Sequence, residues 1–377
     1  MQKLVFPALL LGALAGGAHA GDAGVMPREI RIGASAVLSG PLGPQTREYG
    51  VGSRLYLDSI NDKGGVYGRK IVYTTLDDAF DVGKALENTR KLIEEDKVFL
   101  IYNNSGTGHT AAILPMMEDS RTIVFGPITG ASIFRDRFNR YLFHVRASYA
   151  NEARRIVSQL KQTGVTRVAA FYQDDTFGKT LLGEIRKAAE KEKLQLVAEA
   201  KVDPKQPDFN AAAAAAEKAE PQVIIMCTAG TTFPNFVKAM RQTGVKPSFY
   251  GFSVASLDVI NKELGSGAQG IVLSQIMPSL KNTSIPVVLE YQKLLAEKTP
   301  GAKPSASQFE GFVHAKLLVE GLRRGGKNLT TASFIKGMEA AGEVRYGRFT
   351  ASYSPQSHNG SSYVELAIID SSGQLRY

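Results

Sequence analysis

Residues 98–119 read VFLIYNNSGTGHTAAILPMMED and contain one complete unit of strand, loop and helix. The apolar run 98–102 predicts a buried strand, and the spaced apolar residues of 107–119 predict a helix. Glycines at positions 106 and 108 let the backbone turn sharply between the two. A strand that leads directly into a helix is typical of a parallel sheet covered by helices.

The same unit recurs on both sides of this stretch, which indicates an α/β fold built from βαβ units. A first set of predicted strands lies at 30–36, 70–76, 98–102 and 122–126, with helices at 46–62, 82–95 and 107–119. A second set has strands at 167–172, 195–202, 222–227 and 249–252, with helices at 151–163, 177–192, 208–219 and 233–243. Two sets of this length predict two Rossmann-like lobes.

The pattern changes after residue 270. One strand to Met277 precedes helices at 285–298, 305–324 and 330–341, and strands at 348–354 and 363–370 follow. This tail is too short for a third such domain, so we expect it to complete the first two. The chain then crosses between lobes near Arg146, Ser274 and Thr350, and three parallel linkers form a hinge. The predicted lobes are 21–146 plus 275–349, and 147–274 plus 350–377.

The N-terminus predicts export. Lys3, an apolar run at 4–14 and the small residues Ala18-His19-Ala20 fit a signal peptide, residues 1–20, cleaved after Ala20. The run is too short to span a bilayer stably. No cysteine follows the cleavage point for lipid attachment, so we predict a protein of the periplasm.

Composition excludes several other roles. The single cysteine, Cys227, allows no intramolecular disulfide, and we interpret it as a small core residue. The net charge of +9 is scattered along the chain, which argues against nucleic acid as a partner but would speed encounters with an anionic solute.

Widely spaced histidines do not predict a zinc site. Acids at 77, 78 and 81 suggest turns and caps more than a cation site, so we expect no metal and no cofactor.

Five short motifs occur in order along the chain: LSGP at 38–41, DSIN with GGVYGR at 58–69, DD at 77–78, GPITG at 126–130 and YQDDTFG at 172–178. Together they resemble the type I periplasmic solute-binding proteins of ABC importers, in the leucine/isoleucine/valine-binding group. The resemblance implies a Venus-flytrap fold without catalysis. Solute binds one lobe, the other closes over it, and the monomeric protein then docks on the membrane subunits of an ABC permease.

The loop after the strand at 98–102 is the main candidate for binding a carboxylate. Free amides at the start of the following helix favour an anion, and Gly106 allows close approach. In the resembled group, the residues aligned with Ser105 and Thr129 hold the ligand carboxylate, and Asn104 and Thr107 belong to the same region as Ser105. The alternative is that Ser105 caps the helix and Thr129 forms a plain turn.

The position expected to bind an amine differs from the family pattern. Branched-chain amino-acid binders carry a glutamate that pairs with the ligand ammonium, and the alignment places Ser253 there. A buried ammonium without a carboxylate is costly. Either another acid such as Glu310 compensates, or the solute lacks an amine; Glu310 could equally serve only the first turn of its helix.

Other side chains are predicted to shape the pocket. They are Gln45, Tyr149, Phe177 and Ala229, which replaces a tyrosine of some relatives and leaves more room. The aromatic residues could instead pack in the core or hinge. The expected solute is a small carboxylate, either an amino acid or an aromatic or other organic acid.

Two further functional classes remain open. The same fold serves as an extracellular sensor that presents ligand to a signalling receptor. The second open class is a hydrolase. GFSVA at 251–255 resembles a nucleophile elbow, although it ends in alanine. GSGAQG at 265–270 has the dinucleotide spacing but follows a helix and precedes a strand, the reverse of the required order.

Overall fold

In the computed structural model, which describes residues 22–40 and 42–377, five parallel strands form the first sheet. They are β1 (Glu29–Ala36), β2 (Lys70–Asp77), β3 (Leu100–Tyr102), β4 (Ile123–Phe125) and β5 (Leu142–Phe143), in the order β2-β1-β3-β4-β5. Helices α1 (Gly43–Asp62), α2 (Val82–Glu94) and α3 (Thr107–Ser120) connect the first four strands. The predicted signal peptide lies outside the described residues.

The second sheet has seven strands. Its parallel part consists of β6 (Arg167–Gln173), β7 (Gln195–Val202), β8 (Val223–Cys227), β9 (Ser248–Gly251) and β10 (Val272–Gln275). The helices of this lobe are α4 (Tyr149–Gln162), α5 (Thr176–Glu192), α6 (Phe209–Glu217), α7 (Thr232–Met240) and α8 (Leu257–Leu264). Cys227 ends β8 and is fully buried, which raises its pKa, so it is a core residue as predicted.

The tail completes both lobes. Helices α9 (Pro286–Lys298), α10 (Ala306–Arg324) and α11 (Thr331–Ala340) precede a three-stranded antiparallel sheet of β11 (Glu343–Tyr346), β12 (Phe349–Ser354) and β13 (Ser357–Gly360). The last strands, β14 (Glu365–Ile369) and β15 (Leu375–Arg376), extend the second sheet in the order β15-β14-β10-β9-β8-β6-β7. The predicted α/β class with parallel sheets is confirmed.

The third crossing lies later than predicted. Phe349, Ala351 and Tyr353 are buried in the core of the first lobe, and the Tyr353 ring lies 5.7 Å from that of Phe143 in β5. Residues 350–360 therefore belong with the first lobe, because this hairpin buries its apolar side chains there. The chain enters the second sheet only at β14, so the crossing falls between residues 360 and 365 rather than near Thr350.

Apolar packing is continuous through the region that joins the lobes. One core cluster contains Ile101 and Val124 of the first sheet together with Val168 and Ile225 of the second, and Tyr149 belongs to it as well. Separate clusters fill the far side of each lobe. Within the described residues, no helix combines the length and the apolar character needed to cross a bilayer.

Helices α1 and α10 pack very closely, and we predict that their contact does not tolerate a methyl group. A Cβ on Gly52 would lie 1.7 Å from the Gln308 carbonyl oxygen, whereas one on Gly50 would meet nothing within 4 Å. We expect Gly52→Ala to lower the free energy of unfolding by about 1–3 kcal/mol. Gly50→Ala is the matched control and is expected to gain about 0.5–1 kcal/mol. Urea unfolding measures both, and equal stabilities would contradict this packing.

Candidate functional site

A cavity of about 440 Å³ lies between the two lobes. Its walls include residues that follow the carboxyl ends of four strands: Val37 after β1, Ser105 after β3, Asp175 after β6 and Ala229 after β8. These strand pairs, β1 with β3 and β6 with β8, are where the strand order reverses in each sheet. Open parallel sheets bind ligands at this position, so the cavity is the candidate site.

Ser105 lies at the first-lobe wall of this cavity. Its Oγ accepts a hydrogen bond from the Val37 amide at 3.0 Å, so the hydroxyl proton remains available to donate to a solute. Gly106 follows with a φ of 99°, a conformation that glycine adopts readily. This turn brings Thr107 and Gly108, the first residues of α3, to the cavity. Free amides at a helix start favour a carboxylate.

Asn104 and Thr129, both predicted to contact the solute, do not line the cavity. Asn104 is buried, and its Nδ2 donates to Thr110 Oγ1 at 2.9 Å. Thr129 is fully buried, and its Oγ1 lies 2.8 Å from Thr107 Oγ1. Its neighbour Ile128 lines the cavity instead. The Thr129 side chain thus contacts Thr107 rather than the cavity.

Two tyrosine and two phenylalanine rings of the described residues line the cavity: Tyr49, Phe80, Tyr149 and Phe177. Tyr149 and Phe177 meet edge to face with centroids 6.0 Å apart. Gln45 also lines the cavity, and its Nε2 donates to the Tyr49 hydroxyl at 3.4 Å. Burial raises the pKa of both tyrosines, so their hydroxyls stay protonated at neutral pH.

The second lobe supplies the opposite wall. Asp175 accepts the Gly178 amide at 2.8 Å and so caps α5, which places Phe177 beside the cavity. Burial raises the pKa of Asp175. Ala229 donates its amide to Gln173 Oε1 at 2.9 Å, and its small side chain leaves this wall open.

Ser253 and Glu310, the residues considered for binding an amine, do not line the cavity. Both contact Arg146, which is fully buried at the first crossing. Arg146 Nη2 donates to Ser253 Oγ at 2.6 Å, and Arg146 Nε lies 3.7 Å from Glu310 Oε1. Burial alone would lower the pKa of Arg146, but Glu310 and its neighbours raise it above its ordinary value. The Arg146 guanidinium therefore contacts both residues that were considered as partners of a ligand ammonium.

We call the buried polar group around Arg146 the waist cluster; it consists of Arg146, Glu152, Ser253, Ser274, Glu310 and His314. Glu152 Oε2 accepts from the Ser253 amide at 2.8 Å and from the Ser274 hydroxyl at 2.6 Å. Burial raises the pKa of Glu310 and lowers that of His314 to about 3. The cluster connects α10 of the first lobe to α4, β10 and the loop after β9 of the second.

The cavity is also lined by residues that the sequence did not indicate, among them Phe80, Asp81, His109 and Lys205. Phe80 and the preceding Ala79 both have a positive φ, at 65° and 50°. Asp77 Oδ1 accepts the Ala79 amide at 2.9 Å, and Asp78 Oδ1 accepts the Phe80 amide at 3.0 Å. Asp81 caps α2. The acids serve turns and caps as predicted, but a left-handed turn at two non-glycine residues gives no sequence signal.

Within residues 22–40 and 42–377, no three His, Cys, Asp or Glu side chains are grouped so that they could hold a metal ion. Two α/β lobes with a cavity at the strand ends of both sheets are the architecture of the two-lobed binding proteins. The sequence profile of the periplasmic binding proteins matches residues 29–374, and the chain belongs to this family.

Known proteins agree with this assignment. The chain is 22% identical over 349 residues to Leu/Ile/Val-binding protein homolog 7 of Brucella suis biovar 1 (strain 1330), covering 89% of this chain and 83% of that protein. An extracellular ligand-binding receptor from Verminephrobacter eiseniae ef01-2 superposes with a TM-score of 0.85 at 26% identity, covering 93% of this chain and 100% of that one. A substrate-binding periplasmic protein from Ralstonia solanacearum also gives 0.85 at 26% identity, covering 92% and 99%. The predicted family is confirmed; its members are solute-binding proteins of the periplasm.

Proposed function

We propose that this protein is the periplasmic solute-binding component of an ABC importer and captures a small carboxylate-bearing solute between its lobes. The interlobe cavity carries the proposal: Ser105 and the start of α3 form one wall, and Phe177 and Ala229 form the other. A solute held by the first lobe is enclosed when the second approaches, and three crossings provide the hinge. Delivery to a permease is inferred from the family.

We further propose that the solute is an organic acid with an apolar or aromatic body rather than an amino acid. Two acids among the described residues line the cavity, Asp81 and Asp175, and both already cap helices. Glu310 faces Arg146 instead. An ammonium would therefore be buried without a free carboxylate partner, which is unfavourable. Apolar and aromatic walls suit a hydrophobic body.

A thermal-shift and calorimetry panel tests this proposal. It contains benzoate, phenylacetate, 4-methyl-2-oxopentanoate and leucine, with benzamide and phenylacetamide as neutral controls. We expect one or more of the three organic acids to raise the melting temperature. An acid concentration of about a hundred times Kd should raise the free energy of unfolding by about 2.7 kcal/mol. The amides should leave it unchanged, and the acids should be recovered chemically intact. Tight binding of amides without their acids would refute the carboxylate requirement.

Affinity capture separates import from sensing. The protein loaded with the tightest acid is incubated with detergent-solubilised membranes of its source cells, and bound proteins are identified. We expect ABC permease subunits to be enriched over the unloaded protein. Enrichment of a receptor kinase instead would favour the sensor alternative.

A further inference from the structure

His109 is the third residue of α3 and lies against the loop that carries Ser105. Its ring lines the cavity but is only 4% exposed. A Cβ on Gly106 would lie 2.5 Å from His109 Nδ1, so the ring fits there only because residue 106 is glycine. Phe80 covers the other side, with ring centroids 5.1 Å apart. The imidazole is thus held at the wall where a carboxylate is proposed to bind.

The opposite edge of the ring faces a buried carboxylate. His109 Nε2 lies 3.8 Å from Asp78 Oδ1 and has no hydrogen-bond partner among the described residues, although it is buried. Asp78 is fully buried and fixed by two contacts: its Oδ2 accepts from the Ser35 hydroxyl at 2.8 Å, and its Oδ1 accepts from the Phe80 amide at 3.0 Å. The Asp78 carboxylate therefore lies at ion-pair distance from this edge of the imidazole, without a hydrogen bond to it.

The surrounding charges act in opposite directions on the imidazole. Burial lowers the pKa of His109, and the acids Asp78, Asp81 and Asp175 raise it without fully compensating, so the net shift is downward. The start of α3 also disfavours a cation, as does Lys205 where it lines the same cavity. In the free protein at neutral pH, the ring is accordingly neutral.

Building on the proposed capture of a carboxylate, we propose that His109 is a second anchor for the anionic solute and takes up one proton from solvent when the solute binds. In the neutral ring with Nε2–H directed at Asp78, Nδ1 carries a lone pair on the side of the Ser105 loop and repels an anion. In the protonated ring, the positive charge is attracted to the Asp78 carboxylate, which lies 3.8 Å from Nε2, and Nδ1–H donates to the solute. The bound anion adds its negative charge to those of Asp78, Asp81 and Asp175, and together they outweigh the effect of burial on the imidazole.

Proton uptake makes the affinity depend on pH in a defined direction. The pKa of His109 is low in the free protein and raised in the complex, so binding is tightest below the free-state pKa and weakens as the pH rises through the bound-state pKa. The solute carboxyl, with a pKa of about 4, stays ionised throughout. Between the two limits, Kd rises by up to about ten-fold per pH unit for one proton.

Calorimetry with the tightest of benzoate, phenylacetate and 4-methyl-2-oxopentanoate tests this inference between about pH 5.5 and about pH 8. We expect Kd to increase with pH, and titrations in phosphate and in Tris to report uptake of one proton per solute. His109→Gln is expected to give a flat profile without proton uptake. His358→Gln is the matched control, because His358 is equally buried but contacts Glu339 in the first lobe, at 3.1 Å; it should keep the wild-type slope.

Imidazole NMR of the wild-type protein provides a readout that needs no variant. The His109 resonance should titrate at higher pH with the solute than without it. A pH-independent Kd in a protein that binds the acid, or an unchanged slope in His109→Gln, would overturn the role of His109 alone. Failure of all three acids to bind would instead overturn the proposed function, and this inference with it.

Discussion

Replacing Arg146 with alanine is expected to lower the free energy of unfolding by about 3–5 kcal/mol. Arg146 is fully buried in the waist cluster, donates to Ser253, and faces Glu310 at 3.7 Å. Its removal leaves the buried Glu310 carboxylate without its cationic partner. Removing one partner of a buried ion pair destabilises a protein by more than the intact pair stabilises it, because the remaining charge is neither paired nor hydrated.

Urea unfolding of Arg146→Ala measures this loss, and an exposed ion pair provides the control. Arg186 Nε donates to Glu199 Oε1 at 2.6 Å on the surface of the second lobe, so Arg186→Ala should cost less than about 1 kcal/mol. The pKa of Glu310 is already raised by burial and should rise further without Arg146. Because protonation of a carboxyl with a raised folded-state pKa removes the buried charge, the deficit should shrink as the pH falls. Equal losses of unfolding free energy in Arg146→Ala and Arg186→Ala would contradict the buried ion pair of the waist cluster.

Replacing Ser105 with alanine is expected to weaken solute binding by about 1.5–3 kcal/mol, the range for a hydrogen bond to a charged group. This corresponds to roughly a ten-fold or larger increase in Kd. The Ser105 hydroxyl accepts from Val37 and retains a proton for the solute, so its loss removes a donor to the carboxylate. Calorimetry with the tightest organic acid of the panel measures the change.

Ser256→Ala is the control for this substitution. Ser256 caps α8 by accepting the Val259 amide at 3.3 Å and does not line the cavity that contains Ser105. Its loss should reduce stability by about 0.5–2 kcal/mol and leave Kd unchanged. An unchanged affinity in Ser105→Ala would remove Ser105 from the binding site.

The sequence predicted those features that depend on local patterns. A buried run, a glycine and the start of a helix lie close together along the chain, so their order alone places the Ser105 loop at a strand end. The two parallel sheets follow from the alternation of short apolar runs and helices. Neither prediction requires knowledge of which distant residues meet.

The errors concern distant contacts and single-residue orientation. The sequence of the β12–β13 hairpin does not indicate which lobe it joins. Its burial beside Phe143 assigns it to the first lobe. Alignment identified the turn at 126–130, but which of Ile128 and Thr129 faces the cavity depends on one residue of register. Arg146 and Ser253 are separated by 107 positions, so their hydrogen bond could not be inferred from the sequence.

Small-angle scattering with and without the tightest organic acid tests the central claim most directly. Closure of two lobes on a solute predicts a smaller radius of gyration at saturation, with the same decrease in Ser105→Ala only at higher acid concentration. An acid that binds by calorimetry yet leaves the radius of gyration unchanged would contradict capture between the lobes.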